Sequence, residues 1–134
     1  DLARHPFAEQ DDGRPSSGAL GWRSWLERHG LAELQPRRWI TVGYTYQQVQ
    51  AALAGQAVAL ARLPMVVDAL RRGELIEPFG AAARSPVPWA YWRVAGRAAA
   101  ERPEVVAFTA WVDAEAAATR AFLEETAPAT WQPG

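Results

Sequence analysis

Two glycines divide residues 51–79 into short, closely spaced segments, and this spacing constrains the fold more than any other feature of the chain. The stretch reads AALAGQAVALARLPMVVDALRRGELIEPF, and Gly55 and Gly73 each follow a helical apolar pattern. Glycine is favoured directly after a helix because it adopts positive φ at little cost. The residues 57–63 are almost continuously apolar, as in a strand that is covered on both faces. The pattern predicts helices and a strand joined by tight turns, which is a scaffold without residues for chemistry.

The same alternation continues along the rest of the sequence. Strands are predicted at residues 5–10, 37–44, 57–63 and 89–96, with an extended segment at 74–79. Helices are predicted at residues 19–30, 46–53, 64–72 and 101–125, the first capped by Ser17. Strands that alternate with helices indicate an α/β fold, with a mostly parallel sheet and helices on both faces. Ligands bind such folds at strand ends and helix starts.

Composition narrows the class of protein. The chain has 134 residues, which is about one domain, and a net charge of −1, which gives no basic face for a phosphate backbone. It contains no cysteine, so disulfides and thiolate metal sites are excluded. No segment approaches the roughly 18 apolar residues of a membrane span. Residues 1–14 are polar, and the first residue is Asp1 rather than Met, so we expect a piece of a longer protein.

The residues that could act as acids, bases or ligands stand in poor settings for catalysis. Asp11 and Asp12 are adjacent in a glycine-containing loop, where such pairs usually form turns. His5 and His29 are the only imidazoles, and neither has a nucleophile or a carboxylate at a recognisable spacing. The sequence therefore predicts neither an enzyme nor a metal site, and it suggests no cofactor.

The segment GYTYQQ at residues 43–48 lies between a predicted strand and a predicted helix. Thr45 can cap that helix with its hydroxyl, and the free N–H groups of the first turn suit an anion such as a carboxylate. Two interpretations stay open at this point: a plain N-cap, or a residue that contacts a ligand.

Five segments in a fixed order carry a resemblance to a known family. They are DLARHPF near the start, WRSWLERHG at 22–30, VQAALAGQAVALARLPMVVDALRRGELIEPF at 49–79, AYWRV at 90–94 and RPEVVAFTAWVDAEA at 102–116. The set resembles the effector-binding domain of LysR-type transcriptional regulators, and the members similar to glycine-cleavage activators show the same order. The resemblance covers most of residues 1–123.

The resemblance implies an incomplete regulatory domain with a periplasmic-binding-protein-like fold of type 2. Residues 1–85 resemble regulatory subdomain 2, and residues 86–134 resemble the segment that returns to subdomain 1. The winged helix-turn-helix, the linker helix and the first half of subdomain 1 of the family have no counterpart in this sequence. The chain is therefore expected to form one wall of the effector cleft.

The resemblance also implies a set of effector-binding residues at strand ends. They are Gln10, Tyr44, Thr45, Tyr46, Arg62 and Pro64. Where the family often has a small Ser or Thr pair, this chain has YTY. Two aromatic rings at this point either narrow the cleft or stack on a ligand.

The function implied is that of a bacterial, cytoplasmic ligand sensor rather than an enzyme. A small, anionic metabolite would bind between two subdomains of a homodimer or tetramer, which would contact DNA only through the missing N-terminal domain and would not bind a membrane. The alternatives are a periplasmic-type solute-binding protein and a doubly wound enzyme. A partner chain could also supply the missing half, because exposed strand edges favour pairing.

Overall fold

The computed structural model describes residues 1–13, 18, 20–87 and 90–126, and the chain divides into two units, Asp1–Ile76 and Glu77–Gly134. The first unit contains a parallel sheet in the order β2-β1-β3, with β1 at Pro6–Gln10, β2 at Arg38–Val42 and β3 at Val58–Ala59. Phe7 and Ala8 of the central strand are fully buried. The predicted α/β class and the parallel sheet are confirmed.

The described residues contain the α-helices α1 at Trp22–Arg28, α2 at Thr45–Leu53 and α3 at Leu63–Arg71 beside the sheet. Phe7 stacks on Trp22 of α1 with the ring centroids 4.0 Å apart, whereas Gln10 contacts Thr45 of α2. Residues three apart in a strand point to opposite faces, so α1 and α2 lie on opposite faces of the sheet.

The core of the first unit is built mainly from aromatic and branched side chains on β1 and the three helices. Its buried apolar members are Phe7, Ala8, Trp22, Trp25, Leu26, Val49, Ala51, Val66, Val67 and Ala69. The two tryptophans of α1 contact each other edge to face, with centroids 5.6 Å apart. Burial of a large aromatic side chain removes about 150–250 Å² from water, which makes this pair a major contributor to stability.

The helices α1, α2 and α3 end in the same way. Gly30, Gly55 and Gly73 follow the helix ends with φ values of 69°, 67° and 70°. After α3, the Gly73 N–H donates to the Leu70 carbonyl at 3.1 Å and the Glu74 N–H to the Ala69 carbonyl at 2.9 Å. This pair of bonds is a Schellman motif, which satisfies carbonyls that the helix leaves unpaired. The predicted role of the glycines is confirmed.

The second unit contains a 3₁₀ turn at Ala81–Ala83 and the long helix α4 at Pro103–Glu125. The predicted strand at 89–96 is wrong for residues 90–96, which form no strand; residues 88 and 89 lie outside the described part of the chain. A strand needs a hydrogen-bonding neighbour, and the sheet of the described residues consists of β1, β2 and β3 alone. Trp111, on α4, is 59% exposed.

Smaller differences concern the element bounds. The apolar run at 57–63 pairs with β1 over two residues only, and residues 74–79 contain turns rather than an extended segment. Ser17, the predicted cap of α1, lies outside the described residues, and the N-cap of α1 is Gly21. None of the helices in the described ranges combines the length and the apolar character that crossing a bilayer requires.

Candidate functional site

The carboxyl ends of β1 and β2 meet at one edge of the sheet. Gln10 is paired in register with Val42, and the Asp11 N–H donates to the Val42 carbonyl at 2.9 Å, so the ladder continues one residue further. After Val42 the chain turns through Gly43 into α2. The end of β1 and the start of α2 are therefore neighbours, although they are far apart in the sequence.

Gln10 and Thr45, two of the predicted site residues, contact each other at this edge. The Thr45 hydroxyl donates a hydrogen bond to Oε1 of Gln10. The Gln10 Nε2 donates to a carboxylate oxygen of Asp12 at 3.3 Å. These two bonds fix the orientation of the Gln10 amide, with its oxygen towards α2 and its nitrogen towards the loop after β1.

The start of α2 is capped differently from the prediction. Its N-cap is Tyr44, and Thr45 is its first helical residue. The side-chain oxygen of Gln47 accepts hydrogen bonds from the Gly43 N–H at 3.1 Å and from the Tyr44 N–H at 3.2 Å. Gln47 thus reaches back to the N-cap, as in a capping box, and the Thr45 hydroxyl bonds to Gln10. The prediction of Thr45 as the cap is wrong.

The first turn of α2 begins directly after Tyr44, and its Gln47 N–H donates to the Tyr44 carbonyl at 2.9 Å. The first N–H groups of an α-helix have no carbonyl partner within the helix, and the helix dipole places partial positive charge there. Tyr44 and Tyr46 flank this turn, and they are 72% and 62% exposed. The structure therefore places two aromatic side chains in solvent beside backbone donors.

Arg62 and Pro64 lie at the start of α3. Arg62 is the N-cap of α3, and Pro64 is in its first turn. Both follow β3, which borders β1 on the side opposite to β2. In the described part of the chain no hydrogen bond or ion pair joins either residue to Gln10 or Thr45. The structure thus brings Gln10 together with the 44–46 segment but does not bring Arg62 and Pro64 into the same contact.

Sequence reasoning missed Gln48, which joins α2 to β1 beneath the contact between Gln10 and Thr45 by a hydrogen bond in the core. Gln48 is only 4% exposed, and its Nε2 donates to the Ala8 carbonyl at 3.0 Å. The indole Nε1 of Trp22 donates to the same carbonyl at 2.9 Å. Gln48 lies four residues before Ala52, on the apolar side of α2, and this spacing is the signal that could have identified it.

Glu9 is a second residue that sequence reasoning missed. Its carboxylate accepts a hydrogen bond at 3.1 Å from the Trp22 N–H, at the start of α1. Burial raises the pKa of the Glu9 carboxyl, the bond from Trp22 opposes this rise, and the charge of Asp11 adds to it. A carboxylate at a helix N-terminus is stabilised by the dipole, so Glu9 connects β1 to α1.

The loop after β1 uses its carboxylates in local contacts. Asp11 accepts a hydrogen bond from the Gly13 N–H at 3.0 Å, which forms a turn closed by the Asp side chain. Gly13 has a φ of 71° there. Among the described residues, no group of three or more His, Asp or Glu side chains is placed to hold a metal ion.

Comparison with known proteins places the chain in a family. The model of the LysR substrate binding domain matches residues 1–117. The glycine cleavage system transcriptional activators of Escherichia coli strains K12 and O157:H7 are each 29% identical over 118 residues, which is 88% of this chain and 36% of each relative. The chain thus spans about a third of the length of these curated relatives. No solved structure matches the chain significantly.

The family match extends over both described units and over most of the chain. It agrees with the mixed α/β architecture and the parallel sheet of the first unit. The chain therefore belongs to the LysR substrate-binding domain family, which has a periplasmic-binding-protein-like fold of type 2 and consists of transcriptional regulators rather than enzymes.

Proposed function

We propose that this chain is the effector-sensing domain of a bacterial LysR-type regulator and that it binds a small, anionic metabolite at the carboxyl edge of its sheet. The observation that carries the proposal is the contact between Gln10 and Thr45 at the start of α2. It places a side-chain amide, a hydroxyl and the backbone donors of a helix N-terminus at one sheet edge, which is where α/β folds bind ligands.

A carboxylate fits these groups better than other small ligands do. The N–H groups of the first turn of α2 point away from the helix and favour negative charge. The Thr45 hydroxyl donates to Gln10 and can accept a further hydrogen bond, for example from a polar group of the ligand. Tyr44 and Tyr46 supply apolar surface on which the body of the ligand can stack.

The acidic residues of the neighbouring loop restrict the charge of the ligand. Glu9, Asp11 and Asp12 follow one another closely at the end of β1. The Asp11 carboxylate accepts from the Gly13 N–H, and the Asp12 carboxylate accepts from Gln10. The negative charge of both carboxylates nevertheless remains near the carboxyl edge of the sheet. Since like charges repel more strongly as their number grows, we expect a monocarboxylate to bind more tightly than a dicarboxylate.

The proposed mechanism is a shift of population between two arrangements of the regulator. Residues 1–85 would form regulatory subdomain 2, and residues 86–134 would belong to subdomain 1. An effector that binds one arrangement more tightly shifts the equilibrium by its difference in affinity. In the full-length cytoplasmic homodimer or tetramer, this shift would move the DNA-binding domains, which are the only part that contacts DNA.

The test is a thermal-shift panel of amino acids, monocarboxylates and dicarboxylates, followed by calorimetry, on this chain and on the full-length reading frame that contains it. Thr45→Val removes the hydroxyl and keeps the shape. We expect it to weaken binding of the best carboxylate about tenfold, because Gln10 loses the hydroxyl that orients its amide and the ligand loses an acceptor for its other polar groups.

The matched control is Thr41→Val, an equivalent change on an exposed residue of β2. It should leave the affinity unchanged. If no carboxylate in the panel binds the full-length protein, or if Thr45→Val binds as tightly as the wild type, the proposed site is wrong.

A further inference from the structure

Arg84 joins two segments of the second unit that are far apart in the sequence. Its side chain is only 7% exposed. Its Nε and Nη2 donate to the two carboxylate oxygens of Glu77 at 2.9 and 2.7 Å. Its Nη1 donates to the Leu123 carbonyl at 3.1 Å, and its Nη2 also donates to the Thr126 hydroxyl at 2.8 Å. One guanidinium therefore contacts both the 77–84 segment and the end of α4.

The ion pair between Glu77 and Arg84 closes a short loop. Between Glu77 and Arg84 the chain turns at Gly80, whose φ is 65°, and passes through the 3₁₀ turn Ala81–Ala83. The Gly80 N–H donates to the Glu77 carbonyl at 3.0 Å. A bidentate carboxylate–guanidinium pair is a strong and geometrically specific contact. The hydrogen bond from Arg84 to Glu77 raises the pKa of the Arg84 guanidinium above its already high value, so the guanidinium stays charged.

The other side of the arrangement completes the end of α4. The last carbonyls of a helix lack partners within the helix, and a positive charge is favoured beside them. The last turn of α4 contains no basic residue of its own. Arg84 supplies this charge from the 77–84 segment, and Thr126, the C-cap residue, receives one of its hydrogen bonds.

We propose that Glu77 and Arg84 form a latch that makes the 77–84 segment and the last turn of α4 one cooperative element. Glu77 is the first residue of the second unit and is bonded directly to Ile76, the last residue of the first. Residues 77–84, with which the second unit begins, are thus hydrogen-bonded to the end of α4. When the latch opens, both ends loosen together. This inference does not depend on whether an effector binds.

Hydrogen–deuterium exchange on the whole chain tests the latch. Glu77→Gln removes the charge and keeps the size of the side chain. Because it leaves a buried Arg84 without its counter-ion, we expect amide exchange to become about tenfold faster or more both in residues 79–85 and in residues 119–126. Faster exchange confined to residues 79–85 would overturn the proposal.

The matched control is Glu74→Gln. Glu74 makes an equally close bidentate pair with Arg72, at 2.8 and 2.9 Å, but these side chains are 48% and 61% exposed. Exposed pairs contribute little to stability, so exchange in both segments should match the wild type. An increase in both segments in this control would also overturn the proposal, because the effect would then not be specific to the latch.

A reciprocal variant keeps the test decisive if Glu77→Gln fails to fold. Thr126→Val removes the hydroxyl that accepts from Arg84 and leaves the ion pair with Glu77 in place. We expect exchange to rise about two- to fivefold at the amides of Gly80, Ala83 and Arg84, which are hydrogen-bonded in the 77–84 segment, since one hydrogen bond is typically worth about that factor or more. Unchanged exchange at these three amides would contradict the latch.

Discussion

Trp22 and Gln48 lie on different helices and donate hydrogen bonds to the same backbone carbonyl, that of Ala8, at 2.9 and 3.0 Å. The two helices lie on opposite faces of the sheet, and Ala8 is fully buried in the strand between them. One carbonyl with two lone pairs therefore connects α1, β1 and α2. The same α2 carries Thr45, so the position of the candidate site depends on this shared acceptor.

The first prediction concerns Gln48. Gln48→Met keeps an unbranched side chain of similar length and removes the donor. We expect the free energy of unfolding to fall by about 1 kcal/mol, which is typical of one lost hydrogen bond. Urea denaturation measures the change. Gln50→Met, at an exposed position of α2, is the control and should be close to neutral. Equal losses in the two variants would show that the bond to Ala8 contributes nothing.

The second prediction concerns the pH dependence that Glu9 confers. Burial raises the pKa of the folded Glu9 above its ordinary value of 4.5. Between the unfolded and the folded pKa, the native state therefore binds more protons than the unfolded state does. Stability falls as the pH rises through this window, and the contribution of protonated Glu9 is lost above it.

Glu9→Gln removes this titration and keeps an oxygen that can accept from the Trp22 N–H. We expect the wild type to lose stability relative to Glu9→Gln as the pH is raised from 4.5 towards neutrality. Thermal unfolding across this range measures the difference, and Glu33→Gln, at an exposed position, serves as the control. A gap between wild type and Glu9→Gln that does not change with pH, or that changes in the opposite direction, would disprove the assignment.

Local signals predicted the scaffold well and the pairing of strands less well. The helix-ending glycines and the strand at 37–44 were identified because positive φ and a β-branched, aromatic run are encoded within a few residues. The aromatic run at 89–96 has the same composition as a strand, but residues 90–96 have no neighbouring strand in the described part of the chain. Strand formation depends on such a neighbour, which a local pattern does not contain.

In the candidate site, too, some features were predicted from the sequence and others were not. The resemblance pointed to Gln10 and Thr45, and the structure brings their side chains into contact. The capping pattern was wrong by one residue: the N-cap is Tyr44, and Gln47 accepts from the N–H groups of Gly43 and Tyr44. Gln48 was missed because its acceptor, the Ala8 carbonyl, lies 40 residues away in the sequence, although the spacing to Ala52 places Gln48 on the apolar side of α2.

The third prediction concerns Gly73, whose φ is 70°. A Cβ at this position would meet no other atom within 4 Å, so the cost of Gly73→Ala comes from the backbone alone. Side chains in this left-handed conformation cost about 1–2 kcal/mol. We expect this loss in urea denaturation. Gly96→Ala has equal space and no positive φ, and it should cost less than half as much. A Gly73→Ala protein as stable as the Gly96→Ala protein would argue against the glycine-dependent helix end.

The last prediction concerns DNA. The chain has 14 basic and 15 acidic residues, and several of the arginines are engaged in ion pairs within the chain. Binding to the phosphate backbone requires clustered positive charge, and its strength falls steeply with salt. We therefore expect this chain alone to bind operator and random DNA equally weakly, near background, at physiological salt.

Fluorescence anisotropy with labelled upstream DNA of the full-length gene measures this binding, and the full-length regulator is the positive control. Sequence-selective and salt-sensitive binding by the isolated chain would place DNA contacts within these residues and would contradict the proposed division between effector sensing and DNA binding.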